Sequence, residues 1–273
     1  MAWLARPDGA VIWHRHEPPA AGGCTFVFFN ALTGDSAIWM QEIVPALEAR
    51  GHGTLVFDLR GQRQSPVEPR VEISLRAIVD DCKALIEDEQ PTRPVFVGLS
   101  IGGLFAALTH LEGRKAEGMV LINTLRENSP RLAWLSDAMV RCARTGGLRL
   151  LRDMYLPLLF GRKWLEHHRR DFLLEDPYQP LSEDAPEVRL LQVACGADWD
   201  IAWDGIGVPV LVLTGEEDHV FRDEAAIARI AARMPRAMRV DVPEAGHLLP
   251  AEAPEIVVDA CLSLAGRLWE GRR

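Results

Sequence analysis

One serine carries the sharpest chemical signal in the chain. Ser100 is the centre of Gly98-Leu99-Ser100-Ile101-Gly102, with Gly103 following, at a point where an apolar strand-like run passes straight into a helical one. A turn that abrupt forces its central residue into a strained backbone, and small flanking residues relieve clashes with the neighbouring strand and helix. The hydroxyl is then held clear of the sheet at a helix N-terminus, where the dipole and free N–H groups favour developing negative charge. That arrangement suits nucleophilic attack on a carbonyl, provided a base takes the proton.

Eight histidines could supply the base. His247, in Glu244-Ala245-Gly246-His247-Leu248-Leu249-Pro250, follows the last strand-like run, and loops at strand C-termini are where open α/β sheets place ligand chemistry. Imidazole accepts and returns protons near neutral pH. His14 and His16 lie on an early hairpin, His167 and His168 in an arginine-rich helix, and His52 and His110 at helix ends, where structural roles are expected. Asp218, in Gly215-Glu216-Glu217-Asp218-His219, is placed to orient the imidazole, with Glu216 and Glu217 in the same loop keeping that assignment open. The chain order Ser100, Asp218, His247 is more specific than any single motif.

Attack on a carbonyl also needs donors for the developing oxyanion. The N–H of Ile101, next after the serine, is one candidate. The N–H of Leu32, in the loop Asn30-Ala31-Leu32-Thr33-Gly34, is the other. Asn30 either pins that loop through its amide or satisfies buried backbone groups, and it is a candidate substrate contact. Trp39, Val220 and Leu248 are further candidates for the pocket wall. So are Tyr155 and Trp164, from a segment also holding Trp134, Phe160, Trp199 and Trp203. Arg126 could meet a substrate carboxylate, although an exposed arginine is the stronger expectation there.

Alternating strand-like and helix-like runs must position these groups. Strands are expected at Thr25–Phe29, Thr54–Asp58, Pro94–Gly98, Gly118–Asn123, Val208–Gly215 and Met238–Val242, preceded by a hairpin of Trp3–Arg6 and Val11–His16 around Pro7-Asp8-Gly9. Most are continuous apolar runs, as in strands covered on both faces. Leu75, Ile78, Val79, Cys82, Leu85 and Ile86 follow a helical stripe, as do Ile256, Ala260, Leu264 and Leu268. Met40, Ile43, Val44 and Leu47 make another, weakened by Pro45, while Ile101–Leu111 is apolar nearly all round and belongs at the centre. The pattern predicts an α/β fold with a doubly wound, mostly parallel sheet. Its core is 1–124 and 206–273, and a helical cap, 125–205, is inserted after the sixth core strand.

The 273 residues, 48% apolar, are enough for one large domain with an insertion and exclude disordered and disulfide-scaffold classes. A net charge of −9 argues against nucleic acid and anionic membranes as partners. No apolar run is long enough to span a bilayer, and Arg6 and Asp8 interrupt the N-terminus where a signal peptide needs an apolar core, so the cytoplasm is the expected compartment. The cysteines at 24, 82, 142, 195 and 261 have no CxxC spacing, and neither a metal motif nor an early GxGxxG is present, so no metal and no cofactor are expected.

Taken together, these residues resemble the α/β-hydrolase fold superfamily, in its small capped esterase, lactonase and C–C hydrolase branch. The likeness covers nearly the whole chain. It implies a nucleophile elbow at Ser100, an acid at Asp218 and a base at His247. Phe57-Asp58-Leu59-Arg60-Gly61 looks like the family's D-x-R-G turn, and Ala245-Gly246-His247 through Pro254-Glu255 resembles its histidine loop and following helix. Two positions depart from the pattern. Asn30-Ala31 replaces the usual His-Gly and is similar to an N-x-L segment of enol-lactonases, and Arg63 replaces the second glycine of R-G-x-G-x-S. Serine at 100 disfavours the relatives with an aspartate nucleophile. The resemblance implies a cofactor-free serine hydrolase acting on a small-molecule carboxylic ester or lactone through an acyl-enzyme. Alternatives are C–C hydrolysis, acyl transfer or perhydrolysis on the same residues, or a non-catalytic binding protein.

Overall fold

A computed structural model of the chain describes residues 1–173 and 175–270. Among them, eight strands form one sheet: β1 (Ala2–Ala5), β2 (Val11–Glu17), β3 (Thr25–Phe29), β4 (Gly53–Phe57), β5 (Val95–Leu99), β6 (Gly118–Ile122), β7 (Val210–Gly215) and β8 (Ala237–Val242). Their order is β1-β2-β4-β3-β5-β6-β7-β8. β2 is antiparallel to β1 and β4, and every other pairing is parallel. The fold is therefore the expected doubly wound, mostly parallel α/β sheet.

The continuous apolar runs follow from burial on both faces. Along β3, Val27 and Phe29 enter one hydrophobic layer, with side chains of α3 (Leu75–Glu89), α4 (Ile101–Leu111) and α8 (Glu224–Arg233). Phe26 and Phe28 enter the other, with α2 (Ile43–Glu48) and α10 (Pro254–Glu270). A period-2 backbone with a layer on each side puts both sets of side chains in apolar surroundings, which selects near-continuous apolar runs. The stripe around Pro45 resolves into two short helices, α1 (Ala37–Met40) and α2, instead of one. Pro45 falls in the first turn of α2, where its missing N–H would have been unpaired anyway.

Topology places the functional end. The chain leaves β3 for β4 on one side, then returns through α3 to β5 on the other side of β3. The C-terminal ends of β3 and β5 flank this switch point, where doubly wound sheets open a crevice. Phe29 pairs with Gly98, so the loop beginning at Asn30 and the turn at Ser100 emerge side by side.

Between β6 and β7 the described chain holds helices and loops without a strand: α5 (Pro130–Leu159), α6 (Arg162–His168) and α7 (Pro186–Cys195). Pro130 follows the capping residue Ser129, and α5 is broken at Gly146 and Gly147. Val140, Ala143, Leu151, Val188 and Leu191 form a small separate core for these helices.

His110 closes α4, buried, with its Nδ1 accepting the Ala116 N–H at 3.1 Å. Burial, helped by nearby Lys115, pushes its imidazole down from 6.5 to about 4. The unfolded chain takes up this proton near pH 6.5 while the fold resists until about pH 4. Stability contributed by neutral His110 is therefore intact above pH 6.5 and lost as pH falls toward 4, by at most about 3 kcal/mol. Urea unfolding across this window should show a shallower loss of stability in His110→Gln than in the wild type.

Candidate active site

The site is built on the turn between β5 and α4. Ser100 has φ 56 and ψ −124, a conformation few side-chain-bearing residues tolerate. Its N–H donates to Ile122 O of β6 at 2.8 Å, which ties the strained turn to the sheet. A Cβ on Gly98 would lie 2.4 Å from Gly103 Cα, and one on Gly102 would lie 2.2 Å from Phe29 O. The first turn of α4 thus lies flush against the end of β3, and only glycine fits the contact.

Asp218 and His247 lie in the loops after β7 and β8. His247 Nδ1 is 2.6 Å from Asp218 Oδ2, and both residues are 4% exposed. The other carboxylate oxygen accepts the N–H groups of Val220 at 3.0 Å and Phe221 at 2.9 Å. Burial raises the Asp218 carboxyl, but the imidazole, the Phe221 N–H and Arg126 outweigh it and hold the group below its ordinary range. The contact assigns the imidazole proton to Nδ1 and leaves a lone pair on Nε2, which has no hydrogen-bond partner among the described residues. Glu217, left open as an acid by the sequence, instead accepts the Arg162 N–H at 2.5 Å.

Ser100 is joined to this pair only through intermediaries. No hydrogen bond joins Ser100 Oγ to His247 among the described residues; Oγ accepts from Arg126 Nη2 at 3.1 Å. The link is Asn123, which follows β6 in a left-handed conformation, φ 48. Its Nδ2 donates to His247 O at 2.8 Å and to Gly246 O at 3.1 Å, and its Oδ1 accepts the Gly215 N–H at 2.9 Å. One amide therefore clamps the end of β7 and the loop of His247 to β6, the strand whose Ile122 carbonyl holds the Ser100 N–H.

The loop after β3 is fixed by a buried polar network. Asn30 Nδ2 donates to Phe57 O at 2.7 Å and Gln62 Oε1 at 3.0 Å, and its Oδ1 accepts from Trp39 Nε1 at 2.8 Å. Gln62 Nε2 donates to Ala31 O at 2.7 Å. In a trans peptide the carbonyl and the following N–H point opposite ways, so holding Ala31 O toward Gln62 turns the Leu32 N–H to the other side. Neither the Leu32 nor the Ile101 N–H makes a hydrogen bond among the described residues.

Residues 26–260 match the Alpha/beta hydrolase family. The chain belongs to that family. Solved structures agree on the fold. MGS-M2, an alpha/beta hydrolase enzyme from a Medee basin deep-sea metagenome library, is 19% identical, with a TM-score of 0.82 over 97% of both chains. A thermophilic esterase from Thermogutta terrifontis, solved with malate bound, is 22% identical, with a TM-score of 0.79 over 97% of both chains. The enol-lactonase from Burkholderia xenovorans LB400 is 23% identical, with a TM-score of 0.77 over 96% of this chain and 99% of that one. Among the described residues of this α/β hydrolase, no helix is long and apolar enough to cross a membrane, and no group of three or more His, Cys, Asp or Glu could hold a metal.

Several expected contacts fall elsewhere. Trp39 is fully buried against Phe28, its indole committed to Asn30, so it supports the loop from below instead of walling a pocket. The Asn30 amide is likewise spent inside the protein, which corrects its reading as a substrate contact. Trp164 stacks between Phe160 and His168 at 3.8 and 4.0 Å, and lines a cleft with Pro243, Glu244 and Ile256, not with Ser100. Tyr155 packs on the separate core of the inserted helices. Val220 is buried beside Asp218, and Leu248 packs toward the α10 layer. Arg126, expected to be exposed, is 6% exposed. Sequence reasoning missed Asn123 and Gln62, because a polar residue after a strand or within a turn gives no sign of its distant partner. Glu252 was missed too; it accepts the N–H groups of Gly161, Gly246 and Leu248 at 2.7, 2.8 and 3.0 Å.

Gly102→Ala must part α4 from β3 and should cost roughly 3 kcal/mol or more in urea unfolding. Gly266→Ala, in α10 with open space around it, is the control and should gain up to about 1 kcal/mol.

Proposed function

We propose that this α/β hydrolase cleaves a carboxylic ester or lactone by nucleophilic catalysis, with Ser100 as nucleophile, His247 as base and Asp218 as its orienting acid. The observation that carries this reading is the 2.6 Å contact of Asp218 with His247 Nδ1, which leaves Nε2 available as a base, and Phe221, packed against His247, shares Arg126 with the strained Ser100. Rotation about the Ser100 Cα–Cβ bond moves Oγ from Arg126 toward Nε2. His247 takes the hydroxyl proton as Oγ attacks the substrate carbonyl, and the N–H groups of Leu32 and Ile101 receive the oxyanion. The imidazolium, stabilised by Asp218, protonates the leaving alkoxide as the C–O bond breaks. Water, deprotonated by His247, then releases the acid and restores Ser100. The likeness to an esterase and an enol-lactonase is consistent with both substrate types.

Residues 125–205 serve as the cap in this reading. The end of α5 is fastened to the reacting loops, since Leu159 O accepts the His247 N–H at 2.5 Å and Leu158 O accepts the His219 N–H at 3.0 Å. Movement of the inserted helices would therefore shift the acid and base loops together.

A fluorophosphonate probe, read by intact mass, should add once to the wild type and not to folded Ser100→Ala. An unlabelled, folded wild type overturns the assignment. Gln62 is a positioning residue for the Leu32 N–H. Gln62→Met should lower kcat on p-nitrophenyl butyrate by tenfold to a hundredfold, on the order of a weakened oxyanion donor, with KM changed less than about threefold. An equal loss in both parameters, or none in kcat, would assign Gln62 a purely structural role.

A further inference from the structure

Arg126 is a buried cation that makes no salt bridge among the described residues; Asp218 acts on it through charge alone, without a hydrogen bond. Its Nη2 donates to Asn123 O at 2.8 Å and Ser100 Oγ at 3.1 Å, and its Nε donates to Thr124 O at 3.3 Å. Nη1 has no partner among the described residues. The guanidinium lies over the rings of Trp199 at 4.6 Å and Phe221 at 4.5 Å. No carboxylate of the described residues pairs with it. Asp218 is committed to His247 and two backbone N–H groups, and neighbouring Glu127 is turned to Arg229 at 2.9 and 2.7 Å. Burying an unpaired charge costs several kcal/mol unless an anion shares the site. This cation sits within hydrogen-bond reach of the reacting oxygen, with Nη1 unbonded among the described residues and two aromatic faces holding its plane. A planar fork so placed is built for a carboxylate.

We propose that Arg126 recognises a free carboxylate on the substrate, which is therefore a short half-ester of a dicarboxylic acid or a lactone bearing a carboxylate. The inference rests on the serine-hydrolase reading above and names its substrate class. A carboxylate oxygen on the guanidinium sits about 2.8 Å from nitrogen, and a carbonyl under attack about 3 Å from Oγ, so roughly two to four methylenes separate the two groups. The carboxylate also competes with Oγ for Nη2. Binding it frees the hydroxyl to turn toward His247, so recognition and activation become one event. Burial pushes the guanidinium down to about 10, with Asp218 opposing, and it stays cationic at neutral pH.

The test pairs mono-p-nitrophenyl succinate and glutarate with p-nitrophenyl butyrate and valerate, their neutral counterparts. Wild-type kcat/KM should favour the anionic ester at least about tenfold for one chain length. That ratio should fall at least about thirtyfold in Arg126→Met and only partly in Arg126→Lys, which keeps the charge but not the fork. Because Arg126→Met removes a buried group and could unfold, two measurements use the wild type alone. Glutarate should slow fluorophosphonate labelling of Ser100 where equimolar valerate does not, and calorimetry should detect glutarate but not valerate. Equal or better turnover of the neutral esters at every length, an unchanged ratio in folded Arg126→Met, or glutarate binding no tighter than valerate would each overturn the proposal. The labelling experiment separates the two failures: labelled Ser100 with no anionic preference sinks only the carboxylate site, whereas unlabelled Ser100 with tight glutarate binding sinks only the hydrolase reading.

Discussion

The contact between the first turn of α4 and the last carbonyls of β3 is the constraint on which the site depends. No atom fits between Gly102 and Phe29 O, so the helix that carries Ser100 at its N-terminus cannot drift from the loop that begins at Asn30. The sheet order makes the contact necessary, because β3 and β5 are neighbours across the switch point and their C-terminal ends pair at Phe29 and Gly98. Strain at Ser100 persists because the surroundings over-determine it: its N–H is bound to β6, and α4 behind it is buried on nearly every side. A helix set so deep cannot relax outward to relieve one unfavourable φ.

The same reasoning explains how Asn30-Ala31 can stand where the family has His-Gly. The requirement is not a particular side chain but a loop that cannot rotate about its peptides. Asn30, Gln62 and Trp39 meet it with hydrogen bonds of 2.7 to 3.0 Å that use every polar atom of the Asn30 amide. A fully satisfied polar network in a low-dielectric interior is rigid, since each bond lost strands a buried partner. Gln62 reaches the loop only because the turn after β4 is itself held, by Asp58 on the N–H groups of Ser36 and Gln64 and by Arg60 paired to Asp81 at 2.6 and 2.7 Å. The D-x-R-G segment thus acts as a buttress at a distance from the reacting atoms.

Much of this is legible in the sequence itself. Strands β3 to β7 announce themselves as apolar runs because two covered faces demand it, and the Ser100 turn because only a strained backbone needs so many small neighbours. The proximity of Asp218 to His247 followed from both standing after parallel strands. What stayed hidden was long-range. Trp39 reads as an aromatic near a loop, and nothing local says that its indole faces Asn30 instead of a ligand. Asn123 reads as a strand terminator, yet its partners lie at Gly215, Gly246 and His247. Arginine after a strand is normally solvated, and the burial of Arg126 depends on Trp199 and Phe221, both far along the chain.

That burial also explains how the fold tolerates the charge. Two backbone carbonyls, the Ser100 oxygen and two aromatic faces present the negative ends of dipoles and quadrupoles to the guanidinium. Such partners reduce the desolvation penalty without cancelling it, because none carries a full charge. A structural arginine in this position would more cheaply be paired with a carboxylate, as Arg60 is with Asp81 in the same protein. Glu127 is adjacent in sequence and pairs with Arg229 on the surface instead. The fold therefore leaves an electrostatic attraction only partly satisfied beside Ser100, and the proposed carboxylate recognition is the way in which a ligand carrying its own negative charge would complete it.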